Sequence, residues 1–243
     1  MKPVTVGKFA LTCALLLLAG CTTRSISNSG YQSGYYHGGG NSGYRGELSE
    51  FDVLGVSVDA AITDAEIVSA LLDSERPRLR RDSNILLIQS GAELPDEPMM
   101  KAMNERYRAT AFSGVPLAKR DGTAPSIAKA LRLAAARGGY DKIVCYWGVL
   151  ESAEKNQITK TVSWIPIVGY VLPDKEQLMR IRLKAVVVDV ASGYWRFVSP
   201  PPAASSDFAS RMTRAQTDQD LVAKLKETGY RNLVQTLVTA EAG

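Results

Sequence analysis

The chain reads GGYDKIVCYWGVL from Gly138 to Leu150. The two glycines are predicted to end a helix, because glycine readily takes the left-handed conformation that closes helices. Residues 142–150 behind them are apolar and rich in β-branched and aromatic side chains, which indicates a buried strand. A helix that leads directly into an apolar strand is typical of an α/β domain.

Elements on both sides of this segment extend the α/β pattern. A helix with an apolar stripe is predicted from Ser126 to the two glycines. The apolar run 85–88 predicts a second buried strand. Residues 180–190 alternate apolar and basic side chains at their start, so they predict a strand with one face in solvent. Further helices are predicted from Asp64, Pro95 and Thr217, and further strands over 159–166 and 194–198. The sequence therefore predicts a single α/β domain, a mixed sheet of about five strands with helices packed on it.

The first 21 residues have the pattern of a secretion signal. Lys2 and Lys8 precede an apolar core of about 11 residues, which is too short to span a bilayer. The core ends in Leu18-Ala19-Gly20-Cys21, which resembles a lipobox, the site at which bacterial lipoproteins are cleaved and lipidated. The resemblance implies a signal peptide over residues 1–20 and acyl chains on Cys21 that hold the mature chain to a membrane.

The residue after the lipidated cysteine, Thr22, indicates which membrane of the envelope holds the protein. In bacterial lipoproteins an aspartate at this position commonly means retention in the inner membrane. Its absence here implies the outer membrane, with the protein facing the periplasm.

Residues 21–46 are predicted to be the lipidated cysteine and a disordered tether. The segment 25–46 consists mostly of Gly, Ser, Tyr and Asn, and it contains almost no aliphatic side chains. Such a segment buries too little apolar surface to offset its ordering entropy. The globular domain is then expected over 47–243, and residues 22–46 are expected to be removable without unfolding it.

Composition excludes several classes of function. His37 is the only histidine, so catalytic triads and multi-histidine metal sites are excluded unless His37 itself takes part. The formal charge of +4 falls to +2 once Lys2 and Lys8 leave with the signal peptide, which is too small to favour nucleic acid. Cys145 is the only cysteine outside the leader and the lipid site, and it is interpreted as a small buried hydrophobe. No metal or cofactor is predicted.

Three segments resemble a group of envelope proteins. They are the helix that ends at 138–142 with its following strand, the strand that closes over 188–195, and the C-terminal amphipathic helix. Their layout resembles that of the lipoprotein activator of penicillin-binding proteins, the curli secretion lipoprotein and the TolB amino-terminal domain, over about residues 80–240. The resemblance implies a non-enzymatic binding or assembly module with an envelope protein partner. A homo-oligomeric secretion component is an alternative.

Ser126 and Lys129 form a Ser-x-x-Lys pattern. In penicillin-recognising enzymes this spacing places a nucleophilic serine one helical turn from a lysine base. The Ser-x-Asn and Lys-Thr-Gly motifs that accompany it there are missing from this chain. A helix-capping serine with a solvent-facing lysine explains the pattern without chemistry, and an envelope hydrolase is the alternative.

Two stretches are predicted to contact a ligand or partner. A basic cluster beside Pro77 would attract phosphate headgroups or an acidic partner, unless it is a solvated loop. Its members are Arg76, Arg78, Arg80 and Arg81. The apolar segment 164–173 carries prolines that weaken a central-strand interpretation, so it is either a hairpin tip on the core or an exposed contact surface. The candidate contact residues there are Trp164, Ile167, Val168 and Tyr170.

Overall fold

The computed structural model describes residues 22–29, 44–56, 61–73, 76–117, 127–154, 177–205 and 218–240. The strands are β1 (Thr22–Ser25), β2 (Asn84–Gln89), β3 (Arg108–Phe112), β4 (Lys142–Glu154), β5 (Gln177–Asp189), β6 (Trp195–Val198) and β7 (Ala203–Ala204). The helices are α1 (Glu50–Leu54), α2 (Asp64–Leu72), α3 (Glu97–Asn104), α4 (Ile127–Arg137) and α5 (Asp218–Thr239), with a short 3-10 turn over Ile26–Asn28. The strand predicted over 159–166 lies outside these ranges.

The strands form one mixed sheet in the order β3-β2-β4-β5-β6. β2 runs parallel to both β3 and β4, whereas β5 and β6 continue the sheet antiparallel. Two short strands lie off this path, because β1 pairs with the far part of β4 and β7 pairs with β5. The predicted α/β fold with a mixed sheet of about five strands is confirmed.

The core has two layers, one on each face of the sheet. On one face, α5 packs on β5 and α3 packs against α5 and β3, and the four leucines spaced along α5 are all buried, as their spacing predicts. On the other face, α1 and α4 cover a second cluster that includes Cys145. Burial raises the pKa of the Cys145 thiol, so the interpretation of this residue as a buried hydrophobe is confirmed.

The start of the predicted tether is part of the folded domain. β1 pairs antiparallel with residues 149–152 of β4, and Ile26 is only 2% exposed. Leu48 is also buried, and its carbonyl accepts a hydrogen bond of 2.8 Å from the indole of Trp147. A disordered tether over 22–46 is therefore wrong for 22–29 and 44–46, and the domain does not begin at residue 47. Residues 30–43 lie outside the part that the structure describes.

The prediction of disorder from composition is wrong for residues 22–29. One aliphatic side chain is enough to hold this segment, because the rest of the domain already provides the surface on which it packs. Gly148 on β4 leaves the space that Ile26 fills. A Cβ atom at position 148 would lie 2.9 Å from two side-chain carbons of Ile26 and 2.5 Å from Leu183 Cδ2. The glycine and the isoleucine are complementary in shape, so residues 22–29 gain contacts that their own sequence does not reveal.

Candidate functional site

A cleft of about 710 Å³ lies at the end of the sheet where β2 and β4 begin. Basic side chains from the segment before β2 form one wall, and the turn between β5 and β6 forms the other. We call it the arginine cleft and define it by Arg76, Arg78, Arg80, Lys142, Asp189 and Tyr194.

The arginine wall results from strict alternation of exposed and buried residues over 76–80. Pro77 and Leu79 are buried, while the three arginines between and beside them are exposed. Successive side chains of an extended chain point to opposite sides, so burial of Pro77 and Leu79 directs all three guanidinium groups outward together. Arg81 follows in a turn and does not line the cleft. Three of the four arginines in the predicted basic cluster thus meet in one cavity.

Asp189 organises the opposite wall. Its Oδ2 accepts a hydrogen bond of 2.8 Å from Lys142 Nζ, and its Oδ1 accepts bonds of 2.7 and 2.8 Å from the Ser192 amide and hydroxyl. Burial opposes ionisation of this carboxyl, but the bonds from Lys142 and Ser192 outweigh it and lower the pKa of Asp189 to about 2. The carboxylate therefore stays ionised near neutral pH, and Lys142 stays paired with it.

The same turn is held from behind by Arg132 of α4. Its Nε donates to the Val190 carbonyl at 2.9 Å, and its Nη2 donates to the Ala191 carbonyl at 2.6 Å. Gly193 has φ of +80°, and a Cβ atom there would lie 2.4 Å from Arg132 Nη1. The glycine is thus required both for the backbone conformation and for the close approach of Arg132. This wall of the cleft is preorganised.

The charge of the cleft favours an anion. Four cationic side chains and two carboxylates, Asp141 and Asp189, line it, which leaves a net charge of +2. Guanidinium groups present several N–H donors in a planar fork that matches phosphate and carboxylate oxygens. Across the described ranges, no group of three or more His, Cys, Asp or Glu side chains could hold a metal ion. The chemistry that the cleft offers is anion binding.

A second polar cluster is enclosed within the domain. Asp96 Oδ2 accepts hydrogen bonds from Lys226 Nζ, at 2.8 Å, and from the Tyr230 hydroxyl. The Tyr146 hydroxyl donates to Gln89 Oε1 at 2.5 Å. Burial, and then the neighbouring Asp96 charge, raises the pKa of both tyrosines well above the usual value, so both remain donors.

This network ties Ile26 and Ser27 to the core. Lys226 Nζ also donates to the Ile26 carbonyl at 3.0 Å, and Lys226 is only 5% exposed. Gln89 Nε2 donates to the Ser27 hydroxyl at 3.0 Å, and that hydroxyl donates to the Ser90 carbonyl at 2.6 Å. We assign the network a structural role, because its polar atoms are satisfied within the fold. Its key pair joins residues 130 positions apart, which no local pattern indicates.

Most of the other predicted site residues lie outside the described ranges. Ser126 lies outside the described residues, and Lys129 is exposed on the first turn of α4 and does not line the cleft. Cys21 and all four candidate contact residues of the segment 164–173 also lie outside them. β4 ends at Glu154 and β5 begins at Gln177. These two residues pair with each other at the end of the sheet where β1 starts. A partner contact by that segment, and self-association, stay predictions.

Comparison with known proteins identifies the family of this chain. None of the helices in the described ranges is long and apolar enough to cross a membrane. A comparison with curated proteins found no match. Residues 49–240 match the YafT bacterial lipoprotein family, which covers well over half of the chain and includes both walls of the arginine cleft. The chain therefore belongs to the YafT bacterial lipoprotein family, and it is a membrane-anchored lipoprotein of the bacterial envelope.

Proposed function

We propose that this lipoprotein is a non-enzymatic binding module that holds an anionic, phosphate-bearing ligand in the arginine cleft. The observation that carries the proposal is the alignment of Arg76, Arg78 and Arg80 on one side of an extended segment, facing a preorganised turn. A volume of about 710 Å³ suits a small ligand or the charged end of a larger one.

Phosphate fits the cleft better than a carboxylate does. Its three oxygens can accept from more than one guanidinium group at once, whereas a carboxylate offers two. Lys142 is paired with Asp189, and Arg76 donates to the Asp73 carbonyl at 3.3 Å, so Arg78 and Arg80 are the main donors to a ligand. Binding should strengthen with pH as the phosphate group of the ligand itself ionises.

Replacing Arg78 and Arg80 together by glutamine should weaken binding of pyrophosphate at least tenfold. Each charge-assisted hydrogen bond that is lost is worth about 1.5–3 kcal/mol, so tenfold is a conservative expectation. Titration calorimetry at fixed salt measures the change.

The control is Arg81→Gln, which removes one positive charge from the same stretch but from outside the cleft. Its pyrophosphate affinity should stay near that of the unchanged protein. A second control, Asp141→Asn, should strengthen binding because it removes a carboxylate from the cleft wall. A loss of binding free energy in Arg81→Gln that is half or more of the loss in Arg78→Gln/Arg80→Gln would mean that only net charge matters, which would refute the proposed site.

We further propose that Cys21 carries the lipid and that the domain faces the periplasm from the outer membrane. The Leu18-Ala19-Gly20-Cys21 motif and the lipoprotein family support this proposal.

Cys21→Ser should abolish metabolic labelling by a fatty-acid analogue and release the chain from the membrane, or leave it uncleaved, because no thiol remains to be acylated. The matched control is Cys145→Ala, which removes the buried thiol and should leave labelling intact. Continued labelling of the Cys21→Ser protein would show that the lipid is attached elsewhere.

A further inference from the structure

We infer that the arginine cleft faces away from the membrane that holds Cys21, and that it takes its phosphate group from the aqueous side rather than from headgroups of that membrane. The inference rests on the proposed function, because it concerns the ligand of the same cleft and the lipid on Cys21.

The anchor is attached directly to the sheet. Thr22, the residue after Cys21, is the first residue of β1 and pairs with Ser152 of β4. Cys21 is the next residue in the sequence, so a lipid on it is attached to the chain one residue before β1. The exposed Arg24 is close by and suits contact with anionic headgroups.

The 3-10 turn that follows β1 is held so firmly that residues 22–29 cannot act as a tether. Ile26 fills the space beside Gly148, and its carbonyl accepts a hydrogen bond from the buried Lys226. The Ser27 hydroxyl donates to the Ser90 carbonyl. Lifting the domain off the membrane on a flexible arm would break all of these contacts. The anchor therefore holds this end of the domain next to the membrane.

The anchor and the cleft lie at opposite ends of the same strands. Along β4, Ser152 pairs with Thr22 at one end, and Lys142 lines the cleft at the other. Along β5, Met179 pairs with Ser152, and Asp189 pairs with Lys142. Ten residue steps of β-strand span roughly 33 Å. A headgroup charge is screened over about 8 Å at physiological salt, so a cleft at the far end of the strands is out of electrostatic reach of the headgroups around the anchor.

The first test measures orientation without any ligand. The lipidated full-length mature chain is placed in vesicles with a quencher on the lipid headgroups. Two singly labelled proteins are compared. One carries a fluorophore at Thr23→Cys beside the anchor, and the other carries it at Ala191→Cys in the cleft turn. Both positions are exposed, while the native Cys145 is buried and stays unlabelled. The Thr23→Cys probe should be quenched several-fold more strongly, and equal quenching of the two probes would overturn the orientation.

The second test measures the source of the phosphate. Pyrophosphate is titrated into the same lipidated chain in phosphatidylcholine vesicles and in vesicles rich in phosphatidylglycerol. The dissociation constant should differ less than about twofold between the two membranes, since surface charge is screened at this distance. A dissociation constant raised more than about tenfold by the anionic lipid would show that headgroups of the same membrane occupy the cleft, and would overturn the inference.

The two tests separate the inference from the proposed function. Absence of pyrophosphate binding in both membranes would refute the phosphate ligand, and with it the proposed function, whatever the orientation. Binding that the anionic membrane suppresses would leave the proposed function intact and refute the orientation alone.

Discussion

Replacing Asp96 by alanine should lower the free energy of unfolding by roughly 3–5 kcal/mol, because it leaves the buried Lys226 ammonium without its counter-charge. The Tyr230 hydroxyl loses its acceptor in the same change. Urea unfolding of the chain from residue 21 onward, with Cys21→Ser to remove the lipid, measures the loss.

Two further variants make this result specific. Glu97→Ala changes the next residue, an exposed carboxylate in the first turn of α3, and should alter stability by about 0.5 kcal/mol or less. Adding Lys226→Met to Asp96→Ala should recover part of the loss, because the unpaired buried charge is then gone. An Asp96→Ala protein as stable as Glu97→Ala would show that the network does not support the fold.

Replacing Ile26 by alanine should cost about 2–4 kcal/mol of unfolding free energy, as large-to-small changes at buried positions do. Ile26 is 2% exposed, and the rigid backbone at Gly148 limits how far the gap can close. The same urea experiment measures the change.

The matched control is Thr23→Ala, an exposed position on β1 three residues earlier. It should change stability by about 0.5 kcal/mol or less. If Ile26→Ala were equally mild, residues 22–29 would contribute nothing to stability, and the prediction of a removable tether would be restored.

Half of the arginine cleft is visible in the sequence. Arg76, Arg78 and Arg80 alternate with Pro77 and Leu79, and that alternation alone places three guanidinium groups on one side of an extended chain. The signal is local, but it predicts only a basic cluster until the burial of Pro77 and Leu79 is known. The other wall is not predictable in this way, because the turn at Asp189 meets the arginines only through the order of strands in the sheet.

The sequence by itself determined the central architecture and indicated a lipoprotein. The apolar runs of β2, β4 and β5 and the leucine stripe of α5 are local patterns whose periods match the elements they form. The lipobox is likewise a contiguous motif, although its lipid on Cys21 awaits the labelling experiment.

Only the tertiary structure decided what happens to residues 22–29 and how the two walls of the cleft meet. A polar segment with one isoleucine gives no local signal, since its stability depends on a surface built elsewhere: the space at Gly148, the edge of β4 and the ammonium of Lys226. Contacts between residues more than a hundred positions apart form only once the sheet order exists, and that order is a property of the whole chain.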